Sequence, residues 1–151
     1  MKPDQMLKLD NQLCFVLYAA SRAMVTAYRP LLDRLDLTYP QYLVMLVLWE
    51  QDGLRVTELG ERLHLDSGTL TPLLKRMEAA GLVTRTRRAG DEREVEILLT
   101  AAGRTLKQKA RSVPEQILGR AGRPVKELAA LRDQLKQLLE NLSTPTTGAP
   151  S

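Results

Sequence analysis

The chain has 151 residues, 44% of them apolar and 26% charged, which is enough for the core of one ordinary domain and rules out a collagen-like or low-complexity polymer. Its 22 basic and 18 acidic side chains leave a formal charge of +4. One cysteine, Cys14, and one histidine, His64, exclude an intrachain disulfide, a Cys-rich or two-histidine zinc site and a supported Ser-His-Asp triad.

No uninterrupted apolar run approaches the ~18 residues of a membrane span. The longest are Leu13 to Ala20 and Leu43 to Trp49, and the first follows Asp4 and Asp10 with no small-residue cleavage pattern after it. The expectation is a cytosolic protein with no membrane partner. Charge is uneven along it: residues 1–61 sum to −2, residues 62–93 to +3 and residues 94–151 to +3. A basic middle suits a polyanion such as DNA, and it equally suits Lys and Arg that solvate helix faces.

Leu13, Leu17, Ala20, Met24, Ala27, Leu31 and Leu35 recur at three- and four-residue steps, which predicts a helix over 11–35 with one apolar stripe. Asp10 is the expected N-cap, and Pro30 is expected to kink or break the helix because it removes a backbone donor. Thr38-Tyr39-Pro40-Gln41 has capping-box spacing with proline in the first turn, so a helix should run from 39 to about 51 and stop at Asp52-Gly53.

Val56, Leu59 and Leu63 mark a short helix over 56–63. Another follows at once, capped by Asp66, striped by Leu70, Leu73, Leu74 and Met77, and stopped at Ala80-Gly81-Leu82 in Schellman fashion. Two short helices and a tight turn make a helix-turn-helix. Gly68, Thr71, Pro72 and Lys75 face away from the stripe, and so small a face can lie deep in a major groove. Alternating segments then run from Leu82 to Arg87 and from Glu94 to Leu99 around the polar Arg88-Ala89-Gly90-Asp91-Glu92-Arg93. This hairpin would complete a winged helix and put Arg85, Arg87, Arg88 and Arg93 beside DNA, with a tip arginine able to enter the minor groove; the alternative is that the arginines only solvate a hairpin.

Thr100 starts a helix expected to reach about 120 with a break near Pro114, and Gly119 and Gly122 mark its end. Pro124 starts another, in which Leu128, Leu131, Leu135, Leu138 and Leu142 form a narrow seam that packs helix on helix. The matching stripe at 11–35 leads to an expected homodimer, which sets two recognition helices on a palindromic site. An intrachain bundle is the alternative. Ser143 to Ser151, rich in Ser, Thr and Pro, is expected to be disordered.

All four tyrosines, Tyr18, Tyr28, Tyr39 and Tyr42, fall in the region of Cys14, and Tyr18 is one turn from it. Near a helix N-terminus the macrodipole favours a thiolate, which peroxides attack to give a sulfenic acid. The plainer reading of a lone cysteine in an apolar helix is a buried structural residue.

Val56 to Leu63, the helix after it, and Asp91-Glu92-Arg93 followed after five residues by Leu99-Thr100 resemble the MarR family of dimeric winged-helix regulators over nearly the whole chain. Leu13-Cys14-Phe15, Leu37-Thr38-Tyr39-Pro40-Gln41-Tyr42, Leu46 to Glu50, Leu70-Thr71-Pro72-Leu73 and Gly90-Asp91-Glu92-Arg93 resemble, within it, the organic hydroperoxide resistance regulators. The resemblance implies a repressor whose reduced dimer holds an inverted-repeat operator and releases it when organic hydroperoxide oxidises the sensing thiol. It makes Cys14 that thiol, held by Tyr28 and Tyr39 of the opposite subunit, with Tyr18 lining the pocket.

The implied DNA-facing set is Ser67, Gly68, Thr69, Thr71, Lys75 and Arg76 on the helix, and Arg85, Arg87, Asp91 and Arg93 on the wing. The implied fold is mainly α with a small β-hairpin: a single domain over 1–142 with dimerisation helices at 10–35 and 101–142, a winged helix at 39–99 and a tail at 143–151. No cofactor is expected. Many members carry a second cysteine near the positions of Leu118, Gly119 and Arg120, and this chain does not. That implies a sulfenate followed by a mixed disulfide with a low-molecular-weight thiol. Two rivals remain: a MarR-type regulator of a small aromatic or anionic ligand in the dimer cleft with Cys14 incidental, and a thiol peroxidase, which lacks a Cys-x-x-Cys or any other catalytic frame.

Overall fold

The structure is a computed structural model that describes residues 1–87 and 94–144. The described chain divides into two compact units, Met1–Val113 and the segment from Pro114 onward.

In the first unit, helix α1 (Pro3–Met6) and a 3-10 turn (Leu9–Asn11) precede the long helix α2 (Leu13–Asp33). Asp10 is not the cap of α2: it is taken into the 3-10 turn, and Gln12 holds the N-cap position with extended backbone. The Gln12 amide donates back to the Lys8 carbonyl at 2.9 Å, and Asn11 Nδ2 donates to the Gln5 carbonyl at 2.7 Å, which ties the arm to the helix start. Pro30 does not break α2, which runs on to Asp33. A turn that places Asp36 at φ 54° leads to α3 (Tyr39–Glu50). Thr38 Oγ1 accepts from the Gln41 backbone N–H at 3.3 Å, and Gln41 Oε1 accepts from the Thr38 N–H at 3.1 Å, the capping box that the spacing requires.

A two-residue strand β1 (Leu54–Arg55), too short to show a pattern in sequence, leads into α4 (Val56–Leu63) and α5 (Ser67–Ala79). His64 ends α4 in the left-handed region at φ 55°, and Asp66 caps α5 by accepting from the Thr69 N–H at 2.7 Å. The stripe of Leu70, Leu73, Leu74 and Met77 is buried. Gly81, at φ 78°, closes α5 with Leu82 N–H donating to Met77 O at 3.0 Å and Gly81 N–H to Glu78 O at 2.9 Å, a Schellman motif.

Strands β2 (Val83–Arg87) and β3 (Val95–Leu99) pair antiparallel from Val83 opposite Leu99 to Arg87 opposite Val95, and β1 pairs with the other edge of β3, giving the order β1-β3-β2. Ile97 and Leu99 face the core, where Met45, Leu48, Leu59, Leu70, Leu74 and Met77 are also buried. Each such side chain contributes on the order of 1.5–3 kcal/mol through burial. Helix α6 (Ala101–Ala110), capped by Thr100, completes this unit.

The break expected near Pro114 is present: α6 ends at Ala110, the chain turns at Arg111 and Ser112, and α7 (Val113–Ala121) starts there with Pro114 in its first turn, where a missing N–H breaks no helical bond. Gly119 lies inside α7 and does not mark its end, whereas Gly122 adopts φ 66° just beyond it. In the second unit Pro124 is the N-cap of α8 (Val125–Ser143), so Ser143 is helical; residues 145–151 of the expected tail lie outside the described residues.

Candidate DNA-binding face and thiol site

The turn between α4 and α5 fixes the recognition helix through backbone contact. Leu65 N–H donates to the Gly60 carbonyl at 3.0 Å, and a Cβ on Gly60 would stand 2.7 Å from the Leu65 carbonyl oxygen. Only glycine allows α4 and α5 to come so close. The face of α5 turned from the core then presents Ser67, Gly68, Thr69, Lys75 and Arg76 exposed and Thr71 half-buried. Arg76 Nε donates to the Pro72 carbonyl at 3.3 Å, which holds the guanidinium along the helix.

Between this face and the wing lies a concave surface of about 490 Å³ lined by Thr57, Ser67, Thr71, Lys75, Arg85 and Arg87, three of them cations. Thr57 was not among the residues expected from the sequence. Of the wing arginines, Arg87 is exposed at the end of β2, and Arg85 pairs with Glu78 at 3.2 Å with its side chain 28% exposed. Arg85 therefore braces β2 against α5 as well as lining the groove. Arg55 fastens the other edge, bonding Glu58 at 2.9 Å and reaching Glu94 at 3.6 Å, and Glu58 and Glu94 hold its guanidinium above the ordinary arginine range. Asp91 and Arg93, together with Arg88, lie outside the described residues.

Cys14 occupies the second position of α2 and is exposed. It is therefore not a buried structural cysteine within this chain. Tyr18, four residues on, is exposed, and the Arg22 guanidinium stands 5.5 Å from its ring centroid. Tyr28, Tyr39 and Tyr42 instead gather where α2 meets the start of α3, with centroids 5.0 Å apart for Tyr28 and Tyr39, 5.7 Å for Tyr28 and Tyr42 and 6.4 Å for Tyr39 and Tyr42. Burial raises the phenol pKa of Tyr28, with Tyr39 adding to it, and burial also raises that of Tyr39. Burial foremost, then Tyr28 and Tyr39, pushes Tyr42 up to about 12. All three phenols therefore keep their protons as donors.

Fourteen residues of helix separate Cys14 from Tyr28, about 21 Å of rise, so Cys14 and the tyrosine triangle do not meet along one copy of α2. Tyr42, only 2% exposed, is the member that sequence reasoning gave no role; it lies on α3 with the buried Val44, Met45, Val47 and Leu48.

The family model described as MarR family matches residues 37–95, the winged helix itself. The organic hydroperoxide resistance transcriptional regulator of Bacillus subtilis (strain 168) is 55% identical over 136 residues, 90% of this chain and 92% of that protein. The chain belongs to the MarR family. It is a winged-helix, DNA-binding transcriptional regulator, close to that hydroperoxide-resistance protein. Among solved structures, reduced AbfR bound to DNA superposes with a TM-score of 0.75 at 40% identity, covering 95% of this chain and 100% of that one. Disulfide-formed AbfR gives 0.61 at 38% identity, covering 90% and 96%, and AbfR is a protein of Staphylococcus epidermidis. Among the described residues no helix is long and apolar enough to cross a membrane.

Proposed function

We propose that this regulator is a homodimeric repressor that holds an inverted-repeat operator when reduced and leaves it when an organic hydroperoxide oxidises Cys14. The observation that carries this reading is the exposure of Cys14 at the start of a helix whose apolar residues are themselves open: Leu13, Val16 and Met24 are 58, 54 and 49% exposed. A second copy of the chain is the natural cover for that surface, through helices at 10–35 and 101–142 of a single domain over 1–142. It also supplies what one chain lacks, since Tyr28 and Tyr39 of the partner then reach Cys14 beside Tyr18. The names of the relatives support a redox regulator: one is called for organic hydroperoxide resistance, and another was solved both reduced on DNA and with a disulfide formed.

The Cys14 thiolate attacks the hydroperoxide; the O–O bond breaks, an S–O bond forms, and the alcohol leaves after taking a proton. With one cysteine in the chain, the sulfenic acid condenses with a low-molecular-weight thiol, forming an S–S bond and releasing water. The adduct stands where the partner's tyrosines pack, and it shifts the two recognition helices off their half-site spacing. On the operator, Ser67, Gly68, Thr69 and Thr71 face base edges, Lys75, Arg76 and Arg87 take phosphates, and of the wing-motif pair Asp91 and Arg93 it is Arg93 that enters the minor groove.

The test is a titration of an inverted-repeat duplex before and after stoichiometric cumene hydroperoxide plus a small thiol, with intact mass recorded. Loss of binding with one thiol adduct, and a Cys14→Ser variant that binds yet ignores hydroperoxide, is the expected result. Binding retained despite the adduct rejects the switch and favours a ligand in the dimer cleft; turnover beyond one equivalent per thiol favours a peroxidase.

A further inference from the structure

The tyrosine triangle sits at one end of α3, and the far end of the same helix is fastened to the roots of the recognition helix and the wing. Helix α3 is a rod about 18 Å long with Tyr42, Val44, Met45, Val47 and Leu48 buried along it, so it moves as a unit. At its end Trp49 Nε1 donates to the Gly103 carbonyl of α6 at 2.9 Å, and Lys107 Nζ donates back to the Trp49 carbonyl at 3.5 Å. Gly103 has no slack, because a Cβ there would lie 2.3 Å from the Leu82 carbonyl oxygen. That same oxygen, just past the end of α5, accepts from the Thr100 backbone N–H at 3.0 Å and from Thr100 Oγ1 at 3.1 Å. Thr100 in turn caps α6 at the Gly103 N–H, 3.0 Å away. Trp49 is thus three hydrogen bonds, through Gly103 and Thr100, from Leu82 just past the recognition helix.

Asp52 makes the second attachment. Strand β1 starts only at Leu54, which leaves the last N–H of the central strand β3 without a partner strand on that side. Asp52 Oδ1 takes the place of the missing strand, accepting from Leu99 N–H at 2.9 Å while also accepting from Gly53 N–H at 2.9 Å. The side chain of one residue after α3 therefore fixes the root of the wing.

We propose that Trp49 and Asp52 are positioning residues that lock the recognition helix and the wing to the far end of α3, so that a displacement at Tyr39 and Tyr42 is delivered to the DNA-binding face. The inference rests on the peroxide-switch reading, and its test separates the two. A duplex enriched from a random pool by reduced wild-type protein serves as probe, with cumene hydroperoxide plus cysteine as the modifying pair. Operator Kd is measured before and after modification for wild type, Trp49→Phe, Asp52→Ala and Asp52→Asn. A wild-type weakening of roughly 5- to 150-fold is expected, the ordinary range for coupled sites. In Asp52→Ala and Trp49→Phe the ratio should fall toward one, and Asp52→Asn, which keeps an acceptor oxygen, should restore it. Trp49 is the one tryptophan of the chain, so its emission reports the junction directly and should shift on modification of wild type and Asp52→Asn but not of Asp52→Ala. An equal loss of affinity in both states, with the ratio intact in Asp52→Ala and Trp49→Phe, overturns the inference and makes both residues merely structural. So does a wild type that releases the duplex with its Trp49 emission unmoved. A wild-type ratio of one fails the peroxide reading first and removes anything for the junction to deliver. If circular dichroism shows that Asp52→Ala does not fold, Trp49→Phe, which keeps the ring, decides.

Discussion

The Glu78 carboxylate holds Arg85 twice, Oε1 accepting from Nε at 3.2 Å and Oε2 from the backbone N–H at 3.1 Å. Glu78 stands in the last turn of α5 and Arg85 in the middle of β2, so one acidic side chain sets the wing against the recognition helix. Simple charge counting predicts that Glu78→Ala binds DNA more tightly, since a negative charge leaves the basic groove. The geometry predicts the opposite. A half-exposed pair of this kind contributes about 0.5–1 kcal/mol, so operator Kd should rise roughly two- to fivefold at unchanged protein fold. Titrations at low and moderate salt check it, and tighter binding at both would show that Arg85 gains more from freedom than from its brace.

At Gly60 the fold itself demands glycine. A methyl group there meets the Leu65 backbone carbonyl at 2.7 Å, and no side-chain rotation can relieve the overlap. Gly60→Ala should therefore pry α5 from α4 and destabilise the protein by about 1–3 kcal/mol, a drop of several degrees in Tm. Thermal unfolding followed by circular dichroism measures it; a melt like that of wild type contradicts the close approach.

These two positions show why some of the molecule is legible in the sequence and some is not. The Thr38 and Gln41 box, the Asp66 cap and the Gly81 stop are local chemistry within a few residues, and each appears where the spacing placed it. Asp10 misled because Gln12, two residues later, fits the extended N-cap conformation while Asp10 is consumed by a 3-10 turn. Strand β1 could not be read, because two residues show no alternation and its existence depends on a partner more than forty positions away in β3. Bonds such as Trp49 to Gly103 and Asp52 to Leu99 join residues separated by 54 and 47 positions, and only folding brings them together. At the thiol site, Cys14 and Tyr18 share a helix and were visible as a pair, whereas the clustering of Tyr42 with Tyr28 and Tyr39 needed the packing of α2 on α3.

That cluster makes the alkaline limb of stability informative. Tyr42 is 2% exposed and its phenol is pushed up to about 12 from an ordinary value of 10.0. Below pH 10 folded and unfolded chains both keep the proton, so Tyr42 adds no pH dependence. Between about 10 and 12 the unfolded chain releases it and the folded one does not, which means that stability falls as pH rises through this window. Tyr28 and Tyr39, also raised, act in the same direction. Tyr42→Phe should flatten the decline, as read from urea midpoints taken between pH 8 and 11.5. An equally steep decline in the variant would place the alkaline sensitivity elsewhere.

Gly68 offers the sharpest contrast with Gly60. It lies in the first turn of α5 on the face turned from the core, its backbone is not left-handed, and a Cβ built there meets only Asp66 Oδ1 at 3.6 Å, an ordinary contact. Nothing inside the protein requires glycine at that position, and alanine is the better helix former by up to about 1 kcal/mol. Gly68→Ala should therefore leave Tm unchanged or raise it. On the operator the added methyl stands where the helix approaches the bases, so affinity should fall by roughly tenfold, about 1.4 kcal/mol. No charge is lost, so the slope of log K against log salt should stay as in wild type, whereas Lys75→Ala should lower that slope by about one. Binding of Gly68→Ala at wild-type strength would mean that this face stands off the groove, and that the helix docks through Lys75 and Arg76 alone.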